Sequence, residues 1–126
     1  MNDRIEELVE RYCRGWSDPD PRVRERLLRG ALAADATYTD PQTDALTVEQ
    51  LLAHIGGVLA SMPGARIERT SAVDVHHEVG RFTWRLSLAD GTALPEGTDF
   101  VEFDAGGERI RRIVGFFGPV KGRAVA

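Results

Sequence analysis

Gly80-Arg81-Phe82-Thr83-Trp84-Arg85-Leu86-Ser87-Leu88-Ala89 is the stretch whose pattern decides the fold. Phe82, Trp84 and Leu86 alternate with Thr83, Arg85 and Ser87. Successive side chains of a strand point to opposite faces, so this alternation predicts a strand with one apolar face. Downstream, Asp90-Gly91 signals a turn and Ala93 to Asp104 reads as the next long strand. Ala105-Gly106-Gly107 turns the chain again, and Arg109 to Phe117 makes the last strand. Upstream, Ile67 to Val75 reads as one strand preceding the quoted one. Short connections make successive strands antiparallel neighbours.

Before Ala65 the period is helical. Ile5, Leu8, Val9, Tyr12, Cys13 and Trp16 fall on one stripe, with Asn2 or Asp3 as its cap and Ser17-Asp18-Pro19 as its stop. Asp20-Pro21 starts a second helix, a capping residue followed by proline at the first helical position. Val23, Leu27, Leu28 and Ala31 give its inner face, and the intervening arginines with Glu25 its outer one. A short strand, Ala36 to Thr39, ends at Asp40-Pro41, because proline lacks the donor a ladder needs. Thr47 and Gln50 have the spacing of a capping box for a third helix, whose apolar face is Leu51, Leu52, Ile55, Val58, Leu59 and Met62. Pro63-Gly64 ends it. Gly56-Gly57 inside that helix costs helix stability, which implies close packing against the sheet or a widened cavity entrance. Helices first and a strand meander afterwards define an α+β chain whose helices cover the apolar face of the sheet.

A chain of 126 residues fits one domain, 1–126: helices and first short strand over 3–62, sheet over 65–118, and a short tail, 119–126. The formal charge is −4, acids and bases are interspersed, and Lys121 is the only lysine. That balance argues against a nucleic-acid partner. Cys13 is the only cysteine and sits on the stripe of the first helix, where it reads as a buried thiol. No apolar run approaches the roughly 20 residues needed to span a bilayer, and the chain starts on an amphipathic helix rather than a signal region. The expectation is a soluble, cytoplasmic protein with no membrane partner. There is no glycine-rich phosphate loop and no nucleophile elbow.

Three polar residues interrupt apolar patterns: Tyr12, Asp40 and Asp99. Asp99 shares its strand face with Val101 and Phe103, an unusual place for a carboxyl unless it is paired or neutral. Three segments around these residues carry a resemblance. They are Glu10-Arg11-Tyr12 with Asp18 and Asp20; Ala34-Asp35-Ala36-Thr37-Tyr38-Thr39-Asp40-Pro41; and Thr98-Asp99-Phe100-Val101-Glu102-Phe103-Asp104, followed by Gly107, Arg109, Ile110 and Phe116-Phe117. From about Ile5 to Gly118 the chain resembles the nuclear transport factor 2-like superfamily in its SnoaL-like branch. Tyr12, Asp40 and Asp99 are similar in order to the catalytic set of ketosteroid isomerase.

The resemblance implies a cone-shaped, cystatin-like α+β fold. Three N-terminal helices pack on a curved, mixed, mostly antiparallel sheet around a closed-ended cavity, and the outer sheet face makes a homodimer. It implies a small apolar or planar ligand, no cofactor and no metal. Asp40 would be the general base, and Tyr12 and a protonated Asp99 would donate to an oxyanion. Each residue also has a plain structural reading: a strand-ending Asp before proline, a carboxylate bonded to an Arg or a Trp indole, and a packed tyrosine. Phe82 and Trp84 should face the cavity and reduce its room below what a steroid needs, with Trp84 and Phe117 stacking a planar ligand. Tyr38, His54 and Ile113 complete the expected lining. His54 reads as an acid/base group at the cavity mouth or as a packed, hydrogen-bonded histidine. His76-His77 should point to opposite faces of the sheet, which separates them as metal ligands unless a turn intervenes. Arg111-Arg112 should likewise alternate, one of them pairing with Glu102. The function classes left open are a proton-transfer enzyme of isomerase or cyclase type, a non-catalytic binding or dimerisation module, and an epoxide hydrolase or dehydratase built on Asp, Arg and a second Asp or His.

Overall fold

Helix α1, Asn2–Gly15, turns Ile5, Leu8, Val9, Tyr12 and Cys13 inward, and all five are buried. The computed structural model describes residues 2–124. Helix α1 already includes Asn2 and Asp3, so its cap lies outside the described residues; Asp3 instead favours the helix dipole from the first turn. Asp20 caps α2, Pro21–Ala31, by accepting from the Arg22 backbone N–H. The capping box of α3, Val48–Ser61, forms in both directions between Thr47 and Gln50.

The inner face of α2 differs from the expectation. Leu28 and Ala31 are buried, whereas Val23 and Leu27 are only half-buried. Arg24, assigned to the outer face, is buried, because its guanidinium donates to the carbonyls of Asp18 and Pro19 in the α1–α2 turn. Those carbonyls lie between the two helices, outside the hydrogen-bond ladder of either. Gly56 leaves room for this guanidinium: a Cβ there would lie 3.3 Å from Arg24 Nη1. Gly56 therefore serves the α2–α3 contact rather than the sheet or a cavity entrance.

The strands are β1 Leu32–Asp40, β2 Thr43–Leu46, β3 Arg66–Arg69, β4 Asp74–His76, β5 Val79–Ser87, β6 Gly97–Phe103 and β7 Ile110–Phe116. They form one mixed sheet in the order β2-β1-β7-β6-β5-β3, with β4 also on β5. Every pairing is antiparallel except β1 with β7. Four boundaries move from the sequence reading. Strand β1 starts at Leu32, directly after α2, and β2 follows as a partner that the proline hid. The stretch from Ile67 to Val75 breaks into β3 and β4, with Thr70 to Val73 opposite only Phe82 and Thr83 of β5. Helix α1 holds that break, since Glu6 accepts from Arg69 and from the Val73 backbone N–H. Strand β6 begins only at Gly97. Residues 117–124 carry no helix or strand, and the last two residues of the expected tail lie outside the described residues.

Bulges interrupt β1–β2, β1–β7 and β6–β7. An extra residue on one strand bends it and increases its twist, which curves the sheet around the helices. The β6–β7 bulge also corrects the arginine pair. Glu102 pairs with Arg112 and Phe103 with Ile110, so Arg111 is the extra residue. Arg111 and Arg112 consequently both reach Glu102, at 3.0 and 3.3 Å, and both are exposed.

The inner sheet face and the helices share one core, which includes Leu28, Leu51, Ile55, Val101, Ile110 and Ile113. No helix among the described residues is long and apolar enough to cross a membrane.

Candidate functional site

Toward β3 and the loop before β6, helices and sheet diverge and leave a cavity of about 500 Å³. That is within the usual range for small-molecule sites. Its walls include Tyr12 from α1 and Trp16 just after it, Tyr38 and Asp40 from β1, His54 and Val58 from α3 with Met62 at its C-cap, Phe82 and Trp84 from β5, and Asp99 from β6. Phe117 and Gly118 stand just after β7. The three residues singled out by the sequence thus share one hollow. Phe82 and Trp84 face it and narrow it without filling it. Ile113 does not line it: its side chain is fully buried in the core, on the part of β7 covered by helices. Trp84 and Phe117 meet edge to face, at 6.0 Å and 89°, so they are not parallel plates for a planar ligand.

Asp99 accepts one hydrogen bond, from the Trp84 indole N–H at 2.8 Å to Oδ1. Burial raises its carboxyl to about 7; the indole bond opposes that rise and the nearby Asp40 carboxylate adds to it. Asp99 is therefore a neutral acid over most of the range below pH 7, able to donate. Asp40 is held differently. Its Oδ2 accepts from the Tyr38 hydroxyl at 2.7 Å. Its Oδ1 accepts from the backbone N–H groups of Gln42 and Thr43, at 2.8 and 3.0 Å, and from the Thr43 hydroxyl at 3.2 Å. This is the turn-closing arrangement expected of an Asp that ends a strand, and it occupies both oxygens.

Two glycines make the arrangement possible, and the sequence reading passed over both. Gly115 of β7 lies between the two carboxyl-bearing strands. A Cβ there would stand 2.9 Å from Asp99 Oδ1 and 3.6 Å from Asp40 Cβ. Gly97 pairs with Trp84, and a Cβ on it would be 2.3 Å from the indole ring, so the ring lies against bare backbone and its N–H is aimed at Asp99. A glycine inside an apolar strand is the signal that a neighbour approaches the backbone closely.

The other acidic groups of the cavity are held protonated. Burial first, then the Asp99 carboxylate, push Tyr12 well above the ordinary phenol range. Burial and the bond to Asp40 do the same for Tyr38. Burial also raises the Cys13 thiol, followed by Asp99 and Glu10, which makes it an inert wall residue. Trp16, Tyr38 and His54 form a ring cluster with centroids 5.7 to 6.5 Å apart.

Among the described residues no arginine or lysine lines the cavity. Arg81 and Arg85 lie on the outer face, paired with Asp74 and Glu96. The Asp–Arg constellation of an epoxide hydrolase or dehydratase is therefore not assembled there. His76 and His77 do not diverge as a continuous strand would force them to. His77 sits in the β4–β5 turn with φ 53°, which brings the two Nδ1 atoms to 3.1 Å. Among the described residues no group of three His, Cys, Asp or Glu side chains is placed to hold a metal ion.

No protein-family model matches the chain, and no curated protein matches it. Solved structures do. A provisional isomerase of the SnoaL-like family from Agrobacterium tumefaciens is 29% identical, covers 93% of this chain and 99% of its own, and superposes with a TM-score of 0.83. A nuclear transport factor 2-like protein of unknown function from Exiguobacterium is 13% identical over 90% of this chain and 99% of its own, with a TM-score of 0.70. A provisional ketosteroid isomerase from Kribbella flavida is 18% identical over 98% of this chain and 84% of its own, with a TM-score of 0.66. The chain has the nuclear transport factor 2-like, cystatin-like α+β cone fold, and these likenesses support that superfamily.

Proposed function

We propose that this chain is a SnoaL-like pocket protein that moves a proton within a small, mostly apolar carbonyl compound, without a cofactor. One observation carries the reading: the buried Asp99 carboxyl, raised to about 7 by burial, and the Tyr12 phenol face the same hydrophobic cavity, which no arginine or lysine among the described residues lines. Two donors in a water-poor hollow favour a developing oxyanion far more than they favour a ground-state ketone. The carbonyl oxygen would sit at the Asp99–Tyr12 end and the hydrocarbon body against Phe82, Trp84 and Leu86. Two of the similar structures carry provisional isomerase names, which agrees with this chemistry.

The engagement of Asp40 by Tyr38 and the β1–β2 turn favours a second reading, a protein that holds such a compound without converting it. A panel of β,γ-unsaturated ketones separates the two. For the enzyme, a ketone raises the melting temperature and its conjugated product accumulates, and Asp99→Asn lowers turnover by about 10²–10³. Stabilisation with no product selects the binder. No stabilisation and no product from any ketone ends the pocket reading. The same proposal includes a homodimer through the outer sheet face, where Val79, Phe100 and Phe116 are exposed and the two phenylalanine rings meet at 5.8 Å.

A further inference from the structure

Proton transfer from carbon needs an acceptor with a free lone pair facing the substrate. The cavity walls offer few. Tyr12, Tyr38 and Cys13 are held protonated by burial. Asp99 is the acid of the site and its Oδ1 already accepts from Trp84. Asp40 takes three donors on Oδ1 and the Tyr38 hydroxyl on Oδ2, so one lone pair of Oδ2 is all it has to offer. Those bonds tie the carboxyl to the β1–β2 turn and to Tyr38, so its placement serves the turn first.

His54 is different. It belongs to α3, where His54 and Val58, four residues apart, and Met62 at the helix C-cap form one wall of the cavity. Its ring stands edge-on to Trp16, with centroids 6.1 Å apart, and its centroid lies 6.5 Å from that of Tyr38. Among the described residues no hydrogen bond engages either ring nitrogen, so a lone pair is not spent on the protein. The ring is half-buried and borders the cavity. Imidazole is also the side chain best suited to take and return a proton near neutral pH.

We propose that His54 is the catalytic base of this cavity, and that Asp40 is a positioning residue which fixes Tyr38 and the β1–β2 turn. The proposal rests on the proton-transfer reading above. In the step it assigns, a C–H bond next to the carbonyl breaks and its proton bonds to an imidazole nitrogen of His54. The electron pair forms the carbon–carbon double bond of an enolate, whose oxygen accepts hydrogen bonds from Asp99 and Tyr12. The imidazolium exchanges its proton with solvent through the open side of the cavity and then gives a proton to the γ carbon, which restores neutral His54 and leaves the conjugated ketone.

The test is deuterium incorporation into a β,γ-unsaturated cyclic ketone in heavy water, followed by proton NMR, for wild type, His54→Ala, His54→Gln and Asp40→Asn. Circular dichroism establishes that each is folded, and quenching of Trp16 and Trp84 fluorescence reports ketone binding. His54→Ala and His54→Gln are expected to lose exchange by about 10²-fold or more while still binding the ketone. Imidazole added to His54→Ala should restore exchange in proportion to its occupancy of the vacated space. Exchange at the wild-type rate in His54→Ala overturns the proposal. So does a loss that comes with weakened ketone binding and no rescue, which makes His54 a packing residue. A folded, inactive Asp40→Asn beside an active His54→Ala returns the base to Asp40 and leaves the proton-transfer reading standing. Wild type that neither exchanges nor converts any ketone removes both.

Discussion

Asp99→Asn should change how the stability of this protein depends on pH, and by a calculable amount. The folded Asp99 carboxyl is raised from 3.8 to about 7, chiefly by burial. Between those two values the folded state holds a proton that the unfolded chain has released. Stability then falls with rising pH, by about 1.4 kcal/mol per unit. The contribution is fully present below pH 3.8, is lost progressively up to pH 7, and is flat above it. Over the whole window the loss is on the order of 4 kcal/mol. Asparagine is nearly isosteric, keeps a carbonyl oxygen to accept from the Trp84 indole, and does not titrate. The assay is urea unfolding of both proteins at pH 5, 6, 7 and 8, with the wild-type stability taken relative to Asp99→Asn at each pH. From pH 5 to pH 7 that difference should fall by roughly 2–3 kcal/mol and then level off. A difference that stays constant across the series would refute the raised carboxyl. A difference that grows in favour of wild type as pH rises would mean Asp99 is stabilised as a carboxylate, and the oxyanion-donor role would fall with it.

Gly115→Ala places a methyl 2.9 Å from Asp99 Oδ1, on a strand hemmed in by β1 and β6. The cost should be about 1–3 kcal/mol of stability, with ketone affinity reduced because Asp99 is displaced; unchanged melting and unchanged binding would show that the two carboxyls do not close over this residue. For the outer face, sedimentation velocity should give a dimer for wild type and a monomer for Phe100→Arg, since a charge cannot be buried in an apolar patch without a partner. A wild-type monomer at micromolar concentration would rule out that interface.

Tyr12, Asp40 and Asp99 were legible because each breaks a period that is otherwise apolar, and the cavity does gather them. What they do there was not. Asp40 reads as a base by resemblance, yet Tyr38, Gln42 and Thr43 bind it into the β1–β2 turn, and only the path of that turn decides this. Arg24 sits among outward-facing arginines in the sequence and is buried because a turn several residues earlier leaves carbonyls unmet. His77 and Arg111 escape strand alternation for the same kind of reason: a positive φ in one case and a bulge in the other reset which side the next residue faces.

The sequence by itself determined the order of helices and strands, the caps at Asp20 and Thr47, and which faces are apolar. Those follow from local periodicity and from hydrogen bonds between residues a few positions apart. Tertiary structure alone decided the parallel pairing of β1 with β7, the approach of two carboxyls over Gly115, and which side chains in the cavity keep a free lone pair. Each of those depends on residues distant in the chain sharing one poorly solvated space, where burial and neighbouring donors set the proton affinity of every group.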